Sequence, residues 1–152
     1  MIRSSRLLIL LTGLLALPSQ VVAQQTTEGR DGLAAVLAHA RKSLPQGLIA
    51  VGAKEEIKSV AQSVASDLNA VVKGRDEVML CEDRSCVFVG VVGMIDVERL
   101  TATGNLVEVH FTRMTQYVNE SHAWIGFEEI EASASRNDGT WVLEKFRIRR
   151  RS

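Results

Sequence analysis

Apolar and polar positions change their period along this chain, and each change marks an element. Leu7 to Leu17 is an apolar run interrupted only by Thr12 and Gly13. After a polar stretch, Leu33, Val36, Leu37, Ala40 and Leu44 recur at i, i+3, i+4, i+7 and i+11, the single stripe of an amphipathic helix. Asp31 is placed to cap its start, and Pro45-Gln46-Gly47 ends it. Leu48 to Val51 reads as a short apolar link. From Ala53 to Val72, Ile57, Val60, Ala61, Val64, Leu68, Val71 and Val72 share one face of a second helix, with Gly74 as its stop.

Beyond Glu77 the period drops to two. Val78 to Cys81 reads as a short strand. Val87 to Glu98 reads as a curved one, with Gly90 and Gly93 suited to a bend. Leu106 to Tyr117 sets Val107, Val109 and Phe111 on one face against Glu108, His110 and Thr112 on the other. Between Ala123 and Ser135, Ile125 and Phe127 are out of phase with Ile130, Ala132 and Ala134, which predicts a bulge near Glu128-Glu129. Asn137-Asp138-Gly139-Thr140 is a hairpin turn, and Trp141 to Arg149 closes the sheet. The expected fold is α+β: two N-terminal amphipathic helices packed on a curved antiparallel sheet of about five strands.

Two helices followed by long strands that finish on Asn137-Asp138-Gly139-Thr140-Trp141-Val142-Leu143-Glu144-Lys145-Phe146 resemble the cone-shaped α+β fold of the nuclear-transport-factor-2-like superfamily, in particular its exported members of unknown function. The resemblance spans roughly residues 31–149 and is architectural. The third helix common in that superfamily is not evident. Because the superfamily includes enzymes, binding modules and assembly domains, the resemblance implies a fold and no activity, and no catalytic residue is taken from it.

Composition adds a compartment. The chain has 152 residues, with 18 Lys+Arg and 18 Asp+Glu. Arg3 and Arg6 precede the apolar run, Pro18-Ser19-Gln20 breaks it, and Val21-Val22-Ala23 supplies the residues a signal peptidase reads. Met1 to Ala23 is therefore expected to be a secretory signal peptide, and the protein periplasmic or secreted. The alternative, an uncleaved anchor, meets the difficulty that eleven apolar residues span about 16 Å as a helix, half the hydrocarbon core. Residues 24–30 read as a flexible N-terminus and 31–152 as a single domain, with no transmembrane segment after cleavage. Two Cys and two Pro exclude a dense disulfide scaffold and a collagen-like chain.

Export makes a structural disulfide the simplest reading of Cys81 and Cys86, with free thiols or redox or metal chemistry as the alternatives. No zinc-ligand spacing or phosphate loop is present, so no metal and no cofactor are expected. Glu108 and His110, at i and i+2, are about 7 Å apart on one strand face. They form either a proton-transfer pair in a cone interior or part of a solvated face. Trp124 and Trp141, with Phe111, line a pocket or interface, or fill the core. Arg147, Arg149, Arg150 and Arg151 form either a patch for an anionic partner or cross-strand pairs with Glu128, Glu129 and Glu131. Asn119-Glu120-Ser121 matches a glycosylation acceptor. The function expected is a non-catalytic module that binds a small ligand or a protein through its sheet, as a homodimer or with another partner, and no nucleic acid. The alternative is a small cavity enzyme, isomerase- or hydratase-like, that uses His110 and Glu108.

Overall fold

Six strands form the mixed sheet that organises the molecule. The structure is a computed structural model that describes residues 19–83 and 85–152. The apolar core of the expected signal peptide, within residues 1–18, lies outside the described residues. In chain order the elements are α1 (Ser19–Arg41), β1 (Ile49–Ala53), α2 (Glu55–Ala65), a 3-10 turn (Ser66–Leu68), β2 (Ala70–Val72), α3 (Arg75–Val78), β3 (Met79–Glu82), β4 (Ser85–Phe88), β5 (Gly93–Thr103), β6 (Leu106–Val118), β7 (Ala123–Asn137) and β8 (Thr140–Arg151). The sheet runs β2-β1-β5-β6-β7-β8, and β3-β4 form a separate hairpin. β1 is parallel to both β2 and β5, and every other pairing is antiparallel.

Two apolar clusters lie on opposite faces of this sheet. On one face, Leu33, Val36, Leu37 and Ala40 of α1 and Ile57, Ala61 and Val64 of α2 pack on Val107, Val109, Phe111, Ile130, Ala132 and Ala134. On the other, the smaller cluster joins Ala50, Val78, Phe88, Met94, Met114 and Ile125 under α3 and the β3-β4 hairpin. The hairpin is tied down by Phe88 N–H donating to Gln116 Oε1 at 2.6 Å and Ser85 Oγ donating to the Ala123 carbonyl at 2.9 Å.

The α+β class with a mostly antiparallel sheet is as expected, and several finer expectations are corrected. α1 starts twelve residues before Asp31, so Asp31 is not a cap and residues 24–30 are helical. Gly32 lies so close to β6 that a Cβ there would be 2.4 Å from Val107 Cγ2, and Arg30 bridges Asp67 at 2.7 Å. The link at Leu48–Val51 is mostly β1, a strand buried from Ile49 to Gly52 between two parallel neighbours. The second helix stops at Ala65, because Asn69 takes a left-handed conformation (φ 51°) and turns the chain into β2. Val71 and Val72 are thus strand residues. The expected strand from Val87 to Glu98 is divided at Gly90 (φ +76°) into β4 and β5. The phase slip in β7 has a different cause from the one expected. Its pairing with β6 runs without a shift from Ala123 to Ser135, and the slip marks the crossing from one apolar cluster to the other. The bulge near Glu129 is real but lies on β8, where Arg149 is the extra residue.

Candidate functional site

The strand register decides which of the candidate residues meet. β6 sets His110 opposite Glu131 on β7, with His110 Nδ1 3.9 Å from Glu131 Oε1. Glu108 instead lies opposite Ser133 and Thr101. The acidic neighbour of His110 is therefore a cross-strand residue, which sequence spacing along a single strand could not reveal. Glu131 also meets Lys145 at 3.5 Å and Arg149 at 3.6 Å. Burial pushes its carboxyl up, but the combined positive charge of Arg149, Lys145 and His110 outweighs that and holds it below the ordinary carboxylate range.

Two bulged residues flank this spot. Glu98 is the extra residue of β5 and Arg149 that of β8. Both line an open cleft of about 250 Å³ with His110, Glu129 and Glu131. An adjoining cleft of about 310 Å³ shares Glu98 and Glu129 and adds Arg75, Thr112 and Arg150. Thr112 Oγ1 donates to Glu98 at 2.7 Å, and Arg75 bridges Asp96 at 2.9 Å. Of the arginine patch, Arg149 is spent on Glu131 and Arg151 on Glu128 at 3.0 Å, while Arg147 and Arg150 are exposed. These clefts are open and lined mainly by polar side chains.

The other face holds a group that the sequence reading overlooked. Arg113 shares the phase of Val107, Val109 and Phe111, and its side chain is only 7 % exposed. Its Nε and Nη2 both donate to Glu128 Oε2, at 2.9 and 2.5 Å. Its Nη1 donates to the Ala40 carbonyl in the last turn of α1 at 3.3 Å. The Phe146 ring lies 5.8 Å from the guanidinium and 4.7 Å from the His39 ring. A charged residue in phase with an apolar stripe was the available signal.

Beyond the end of α1, the same face stays uncovered. Tyr117 and Trp124 are direct cross-strand partners, stacked with ring centroids 5.6 Å apart and planes 22° apart. They are 48 % and 46 % exposed. With Thr115, Gly126, Glu128 and Arg151 they line a cleft of about 350 Å³. Trp141, by contrast, is half-buried against Gly32, and Phe111 is buried in the core. Cys81 and Cys86 are opposed in the β3-β4 hairpin and bonded, with Cα atoms 4.1 Å apart. His122 is exposed in the turn that Asn119 organises by accepting from the Ser121 and His122 N–H groups. Among the described residues no cluster of His, Cys, Asp and Glu could hold a metal ion, and no helix is long and apolar enough to cross a membrane. Comparison of the chain with protein-family models, with curated proteins and with solved structures found no match.

Proposed function

We propose that this chain is an exported, non-catalytic ligand-binding domain whose sheet offers open clefts to its ligand. The observation that supports it most directly is the Tyr117–Trp124 pair. Two large aromatic side chains stay half exposed at the rim of a 350 Å³ cleft, although each would gain free energy from burial. The apolar run at Leu7–Leu17 preceded by Arg3 and Arg6, and the Cys81–Cys86 disulfide, support export, since disulfides persist in oxidising compartments. The position of α1 across the long antiparallel strands supports a nuclear-transport-factor-2-like relationship, which belongs to this proposal.

The second reading is a proton-transfer enzyme that uses His110 with Glu108. What favours it is the placement of His110 in a cleft between two bulges, a common setting for active sites. Against it, the imidazole is 38 % exposed and its carboxylate neighbour is engaged by two cations. An NMR titration of the isotope-labelled exported protein with small aromatic, polyol and carboxylate fragments separates the readings. Binding is expected to shift the Trp124 indole N–H and the Thr115 and Gly126 amides. Responses confined to His110 and its neighbours would favour the enzyme, and silence throughout would remove the ligand-binding reading. Sedimentation of the unliganded chain tests whether the sheet pairs with a second copy instead.

A further inference from the structure

We infer that the Tyr117–Trp124 cleft binds a saccharide; this rests on the ligand-binding reading and names its ligand class. The aromatic wall is built rather than incidental. Tyr117 lies over Gly126, where a Cβ would be 2.8 Å from Tyr117 Cε2. Covering a glycine explains the tyrosine by sheet stability alone. It does not explain Trp124, which stacks on the tyrosine and keeps 46 % of its surface in water. A half-exposed indole held against a second ring is a rigid apolar surface, and the flat C–H face of a pyranose is its natural complement.

The polar rim narrows the ligand further. Glu128 is shared by Arg113 and Arg151, so the one carboxylate side chain lining this cleft is already engaged. A cationic ligand would have to compete with those arginines for Glu128, whereas a polyol would not. Arg151 uses Nε for Glu128, which leaves its remaining guanidinium N–H groups as donors, and the Thr115 hydroxyl can donate or accept. Directed hydrogen bonds at the rim and an apolar wall behind them match a sugar ring with equatorial hydroxyls. The volume of about 350 Å³ is near the low end of the roughly 300–1,000 Å³ of small-molecule sites, enough for a short oligosaccharide segment.

The probes are chitotriose, cellotriose and maltotriose, with adenosine monophosphate and phosphocholine as charged competitors for an aromatic surface. Heteronuclear NMR is expected to show a saturable shift of the Trp124 indole N–H with at least one trisaccharide. Read from the Thr115 and Gly126 amides, Trp124→Ala should weaken that binding at least tenfold and Trp124→Phe less, with the amide signals of the core unchanged. If none of the three sugars moves the indole, the inference is overturned. A response to the nucleotide or to phosphocholine alone would overturn the saccharide while keeping the ligand-binding reading. No response to any probe or fragment would remove both.

Discussion

Strands β6 and β7 hold two cross-strand pairs of a basic and an acidic side chain, three residues apart and on opposite faces of one sheet. Arg113–Glu128 is on the face that α1 covers, with contacts of 2.5 and 2.9 Å and a side chain 7 % exposed. His110–Glu131 is on the open face, 3.9 Å apart and half in water. The chemistry is similar and the backbone is shared, yet the surroundings make one a lock and the other a surface contact. Arg113 also takes a carbonyl from the end of α1, so it joins helix to sheet. Removing one partner of a buried pair leaves an unpaired charge and costs about 3–5 kcal/mol, whereas exposed pairs contribute about 0–1 kcal/mol.

The comparison can be broken or sharpened by measurements on both faces. Glu128→Leu is expected to have the largest effect, a loss of about 3–5 kcal/mol in urea denaturation, because it strands the buried Arg113, whereas Arg113→Ala leaves Glu128 its bridge to Arg151. The double variant Arg113→Met, Glu128→Leu should recover most of it, because no charge is then left stranded. A single-variant loss under about 1 kcal/mol would put this pair in the surface class and end the contrast. On the open face, replacing Cys81 and Cys86 by Ser should cost about 2 kcal/mol through the closed hairpin loop, lowering the melting temperature with the fold retained. The helix-side cluster and the indole signal of Trp124 should be unchanged in its NMR spectrum.

Gly32→Ala tests how closely α1 approaches the sheet. A better helix former would gain about 1 kcal/mol in solvent. Here its Cβ meets Val107 at 2.4 and 2.8 Å, neither contact being the end of a long side chain. A net loss of about 1 kcal/mol or more is expected from overpacking, and a gain in melting temperature would refute the close approach. The smallest effect belongs to Glu131. Its folded carboxyl titrates below the ordinary value of 4.5, so its contribution is fully present above that pH and fades as acidification passes through the lowered folded value. The stability difference between wild type and Glu131→Gln should therefore be small at pH 7 and shrink toward pH 3. A difference that grows in acid would contradict the cation environment described for this group.

Legibility followed the range of the signal. Strands β6, β7 and β8 and their turns were readable within a residue or two, because alternation and turn chemistry are local. Asp138 and Gly139, both at positive φ (50° and 81°), form the two-residue turn that an Asn-Asp-Gly-Thr sequence predicts. β1 was taken for a link because a four-residue apolar run fits a buried strand as well as a connector. The candidate residues show the same limit. Alternation puts His110 and Glu108 on one face, but the carboxylate nearest His110 comes from register, and the phase of Arg113 with Val109 and Phe111 is the local sign of its burial.

By itself, then, the sequence determined the succession of periods: a helical half, a strand half, the tight hairpin at Asp138-Gly139 and the proximity of two cysteines separated by four residues. Each depends on residues close together in the chain, where sterics and alternation act directly. Only the tertiary structure decided that Ile49–Ala53 lies in the sheet between β2 and β5, that β7 crosses between two apolar clusters, and that Arg113 rather than His110 is the buried charge. Those outcomes depend on which surfaces meet. The pattern along one strand shows that it has two faces, but which one is buried, and beside which charge, depends on the helices and strands packed against it.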